Sequence, residues 1–161
     1  MRTLKRLLLT ASMCCLIATA NAAPMDDAKA AYERGDYAQA LKILKPLAAQ
    51  GHASAQFNLG VMYDTGRGVT QDYKEAVKWW KLSAAQGYAD AQFNLGIMYE
   101  NGKGVIQDYA SAHMWWNLAS SAGDADGAKN RDIVAKLMTP QQIEKAQDMA
   151  RECEARNFNG C

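Results

Sequence analysis

The chain has few of the groups on which catalysis and metal binding usually rest. Its 161 residues include two histidines and four cysteines, and two of those cysteines are the adjacent pair Cys14 and Cys15. His52 and His113 do not occupy matching positions in any internal pattern, and no Cys/His spacing suits zinc. A Ser-x-x-Lys acylation motif is missing as well. Ser54, Ser83, Ser111, Ser120 and Ser121 are followed three residues later by Phe57, Gln86, Met114, Gly123 and Asp124. Gly66-Arg67-Gly68 and Gly102-Lys103-Gly104 lack the spacing and the strand–turn–helix setting of phosphate loops, so they read as turns. Charge of one sign is not in excess either, with 18 Lys and Arg against 17 Asp and Glu. Such a balance gives no electrostatic reason to seek nucleic acid or anionic lipid. No apolar run reaches the roughly 20 residues that a membrane-spanning helix needs.

The N-terminus carries an address. Arg2, Lys5 and Arg6 precede the apolar stretch from Leu7 to Ala18, and Ala20-Asn21-Ala22 follows. Basic, apolar, then small at −3 and −1 is the order of a secretory signal peptide, so residues 1–22 are expected to be cleaved. Cleavage removes three positive charges and takes the net charge from +1 to −2. Cys14 and Cys15 lack the leucine three residues upstream that a lipoprotein signal requires. The expected location is the periplasm or the exterior. In that oxidising setting Cys153 and Cys161 are expected to bridge, the alternative being two free thiols on a frayed tail.

Internal repetition dominates what remains. Residues 53–88 and 89–124 align at an offset of 36 without a gap, with 20 of 36 positions identical. Val61, Asp64 and Arg67 exchange for Ile97, Glu100 and Lys103, like for like. A degenerate copy spans 26–51, where Tyr32-Glu33-Arg34-Gly35 runs straight into Asp36. Each unit predicts two helices. Ala55, Leu59, Met62 and Tyr63 mark the buried stripe of the first, and Tyr73, Ala76, Val77, Trp80 and Ala84 that of the second. Glycines separate them, and Asp72 with Glu75 forms a predicted capping box. Both tryptophan pairs, Trp79-Trp80 and Trp115-Trp116, are assigned to the core. Residues 125–161 depart from the period. Thr139-Pro140-Gln141-Gln142 opens a helix whose narrow stripe of Ile143, Ala146, Ala150 and Cys153 suits a terminal cap.

The pattern A-x-A-Q-x-x-L-G-x-x-Y-x-x-G-x-G-V-x-x-D-Y-x-x-A-x-x-W, at 53–79 and again at 89–115, resembles the Sel-one-like repeat of the tetratricopeptide-type solenoids. The resemblance implies an all-α fold: antiparallel helix pairs in a right-handed superhelix. It also implies a concave groove that binds a protein or peptide, with no cofactor and no enzymatic activity. In related repeats the first helices line the groove. By that analogy Phe57, Asn58, Val61 and Asp64 face it, together with Phe93, Asn94, Ile97 and Glu100. The asparagines would bond a bound backbone through donor and acceptor alike. Alternatively, they satisfy their own helices and the phenylalanines pack between repeats. A monomer is expected. Cysteine-rich members of the family resemble β-lactamases or penicillin-binding enzymes, which supplies the competing reading of a small envelope hydrolase. No cysteine lies inside a repeat here.

Overall fold

The computed structural model describes residues 24–161, so the expected signal segment 1–22 lies outside the described residues. Within them the chain is all-α, an array of helix pairs that makes a solenoid. Helix α1 covers 24–33. It is followed by α2 (Tyr37–Ala49), α3 (Ala53–Thr65), α4 (Tyr73–Ala84), α5 (Ala89–Asn101), α6 (Tyr109–Ser121), α7 (Ala125–Ala135) and α8 (Pro140–Ala155). Two compact units divide at Pro46, which stands inside α2. In the first unit, three residues replace the longer α3–α4 loop, as the shortened repeat predicts. Tyr32 and Tyr37 meet edge to face across that turn, 5.2 Å between ring centroids.

The second unit holds both full repeats and the cap. Helices α3 and α4 form one hairpin and α5 and α6 the next, while α4 packs on α5 and α6 on both α7 and α8. Each hairpin is closed by one device. Trp80 Nε1 donates to the Phe57 carbonyl at 3.1 Å, and Trp116 Nε1 donates to the Phe93 carbonyl at the same distance. The indole can come so near the helix backbone only because Gly60 and Gly96 have no side chain. A Cβ on either would lie under 3.0 Å from three indole atoms. A buried hydrogen bond of this kind contributes about 1 kcal/mol net, in addition to the burial of the ring. Successive repeats meet at Gly104. Its φ of +69° and lack of Cβ let the α5–α6 loop rest on the Tyr73 carbonyl at the start of α4.

Local details revise two expectations. Asp72 caps α4 by accepting from Lys74 N at 2.9 Å and Glu75 N at 3.1 Å. The Glu75 carboxylate turns to Lys78, 3.1 Å away, so the predicted box is half formed. A complete box forms at Thr139 and Gln142. Trp80, Trp115 and Trp116 are buried as expected, but Trp79 is only half-buried, and its enclosed Nε1 has no partner among the described residues.

The cap behaves as its stripe predicts. Ala146, Ala150 and Cys153 of α8 are buried, and the last two share a cluster with Trp115 and Leu118 of α6. Cys153 is bonded to Cys161, with 5.6 Å between their Cα atoms. The seven residues between them turn through Asn157 and Phe158, both at positive φ. Phe158 packs against the core and lies over the Gly87 turn between the full repeats.

Candidate functional site

The eight groove residues expected from the sequence sit on α3 and α5, and all are half-buried. Helical spacing explains why they travel together. Phe57, Val61 and Asp64 recur at i, i+4 and i+7 of α3, beside the fully buried Ala55–Leu59–Met62 stripe. The same residues recur on α5, one repeat later.

Their roles separate in three dimensions. Phe57 packs on the core and meets the Tyr88 ring at 5.2 Å, and Phe93 packs on Ala112, Trp116 and Val134. Asn58 Nδ2 donates to the Ser54 carbonyl of its own helix at 2.7 Å. Four of the eight, Val61, Asp64, Asn94 and Ile97, meet in one depression of about 210 Å³, whose wall is completed by Trp80, Met98 and Lys103. Glu100 does not line it; its carbonyl accepts from Gln107 Nε2 at 2.7 Å.

The lining of the depression combines apolar and polar groups. Val61, Ile97 and Met98 offer aliphatic and thioether surface, while Asn94 offers a donor and an acceptor. Burial pushes the Asp64 carboxyl above its ordinary 3.8, and the Lys103 ammonium partly opposes that shift. Lys103 Nζ also stands 5.4 Å over the Tyr73 ring, which fixes its direction. The ionised Asp64 is therefore under-solvated and gains from any donor that enters.

Reading the sequence for groove positions did not place Trp80, Met98 or Lys103 there. Lys103 left a usable signal, because Arg67 is its cationic counterpart 36 residues earlier, three residues after an acidic position in both copies. Among the described residues no group of three or more His, Cys, Asp or Glu is placed to hold a metal ion. No helix among them is long and apolar enough to cross a membrane.

Comparison with known proteins agrees with this architecture. A protective antigen of uropathogenic Escherichia coli that displays an SLR fold superposes with a TM-score of 0.79 at 30% identity. That match covers 84% of this chain and 31% of the antigen. A Sel1 repeat protein from Oxalobacter formigenes gives a TM-score of 0.64 at 33% identity, over 66% of this chain and 44% of that one. The chain thus spans less than half the length of either protein. Among curated proteins none matches. The Sel1 repeat signature falls on residues 28–52, 53–88 and 89–124, more than half of the chain and in register with the 36-residue period. The chain belongs to the Sel1 repeat family.

Proposed function

We propose that this protein is an exported scaffold that holds an extended segment of another protein in the depression between α3 and α5. Sel1 repeats generally serve as protein–protein interaction scaffolds, which supports binding as the activity. The observation that carries the groove reading is the meeting of Val61, Asp64, Asn94 and Ile97 from two consecutive repeats around one cavity. An aliphatic side chain of the partner fills the apolar walls, and its backbone amide donates to Asp64 or Asn94. Because the helices are already fixed by the Trp80 and Trp116 hydrogen bonds, little ordering cost falls on the scaffold side of the encounter. Export is supported by the basic–apolar–small N-terminus and by the Cys153–Cys161 bond, of a kind that persists in oxidising compartments.

The test uses a photo-crosslinking residue at Ile97, with the exposed Ile133 as control site, in intact cells. One protein should be captured at 97 and not at 133. Asp64→Asn should weaken that capture. The same change should raise the melting temperature near neutral pH, because it removes a poorly solvated carboxylate. The gain should shrink as acid protonates Asp64 in the native chain, since its folded-state pKa lies above 3.8. Equal capture at both sites would refute the groove.

A further inference from the structure

A second surface lies on the outer face of α4, and at its edge Gly104 and Val105 directly follow Lys103 of the groove wall. There Val77, Leu82 and Val105 floor an open depression of about 520 Å³, and Lys74, Lys78 and Lys81 rim it. The next repeat shows what such a face can take. Counting 36 residues on, Lys78 and Leu82 of α4 correspond to Met114 and Leu118 of α6. In α6 these two are buried in one cluster with Ala150 and Cys153 of α8, which packs on α6 through a stripe of small residues. Leu118 is 1% exposed and Leu82 is 45% exposed. The α4 face is therefore the register equivalent of a helix seat. The loop at its edge adds Ile106, 90% exposed, where the preceding repeat has Thr70.

The exchange of Met114 for Lys78, Ala110 for Lys74 and Asn117 for Lys81 gives this seat its selectivity. Among the described residues only one carboxylate pairs with the three ammonium groups, Glu75 with Lys78 at 3.1 Å. Lys81 Nζ stands 5.7 Å over the Tyr99 ring, with no carboxylate paired to it among the described residues. Lysine stems cover apolar surface while their heads stay in water, so the rim serves a partner that is greasy along one line and acidic on both flanks. We propose that the outer face of α4 docks an acidic amphipathic helix of a partner protein, seated on Val77, Leu82 and Val105 as α8 is seated on α6.

The probe is a synthetic stapled helix with an alanine–leucine stripe flanked by glutamates, titrated into the mature protein while the valine, leucine and isoleucine methyl NMR signals are followed. Val77, Leu82 and Val105 should shift. Reversing Lys74, Lys78 and Lys81 to Glu should weaken binding by roughly tenfold or more, with affinity in the parent falling as salt rises. Circular dichroism controls for folding of the variant, and Leu82→Ser, which leaves the charges intact, should weaken binding on its own. The proposal is overturned if a lysine-flanked version of the peptide binds equally, or if the shifts fall on Val61 and Ile97. It is also overturned if only vesicles of phosphatidylglycerol and phosphatidylcholine, and not the peptide, engage the face. The first reading, which rests on α3 and α5, can stand or fall independently of these outcomes.

Discussion

Gln56 and Gln92 occupy the same place in consecutive repeats, yet only one has both ends of its amide satisfied. Gln56 Nε2 donates to the Ala48 carbonyl at 3.1 Å and its Oε1 accepts from Gln86 at 2.8 Å. Gln92 donates to Ala84, but its buried Oε1 has no partner among the described residues. The counterpart of Gln86 in the next repeat is Ala122, which cannot donate. Ala122→Gln should therefore stabilise the protein by about 1 kcal/mol, read as a higher denaturant midpoint at unchanged slope. His113 is a second such residue. It is 3% exposed, its Nδ1 has no partner among the described residues, and its counterpart is Val77. Burial holds its pKa below 6.5, the Arg131 guanidinium adds to that, and Asp132 opposes it. The unfolded chain thus takes up a proton near pH 6.5 that the native chain resists. Stability is lost as pH falls through that region, and the loss ends below the native pKa. Melting temperatures between pH 7.5 and 5 should drop less in His113→Val than in the parent protein.

At the scale of the element, the helices, their order and their stripes were legible because period and capping chemistry are local. Asp72, Asp108 and Thr139 cap the helices that their positions announce. What was not legible depends on contacts across repeats. Gly60 and Gly96 look like poor helix residues until Trp80 and Trp116 are seen lying on them. Phe57 and Phe93 hold groove positions by spacing, and the contacts of their half-buried rings with the core became visible only in three dimensions. Trp79 and Trp115 hold equivalent positions in consecutive repeats and differ in burial, because only Trp115 joins the cluster that includes α8 residues. The α8 helix itself is held at its far end by the Cys153–Cys161 bond. Cys161→Ser should cost about 2–3 kcal/mol, from a calculation in which a short loop is released in the unfolded chain. Chemical denaturation with and without reductant would read that loss, and the reductant should have no further effect on the variant.

For the molecule as a whole, the repeat period leads directly to the fold class, while the site rests on a juxtaposition that no single repeat contains. Val61 and Ile97 are 36 residues apart and meet only because one hairpin stacks on the next. The polar part of the lining, with Lys103 contributed by a loop, could not be weighed from spacing alone. Helix α8 lays a narrow apolar stripe on α6 and turns charged residues outward, which covers a face on which a second copy could otherwise stack. Light scattering after size exclusion should accordingly give the mass of one chain. A stable dimer would mean that one of the described faces is an interface between copies.

The tail that carries Cys161 also reaches the middle of the array. Phe158 rests on the turn at Gly87, and it is presented there by two residues in left-handed backbone between the bonded sulfurs. Opening that bond frees Asn157 and Phe158 to relax and withdraws the ring from the joint between the two full repeats. Thiol chemistry at Cys161 would then register as faster amide exchange around residues 85–89, in the turn that Phe158 covers.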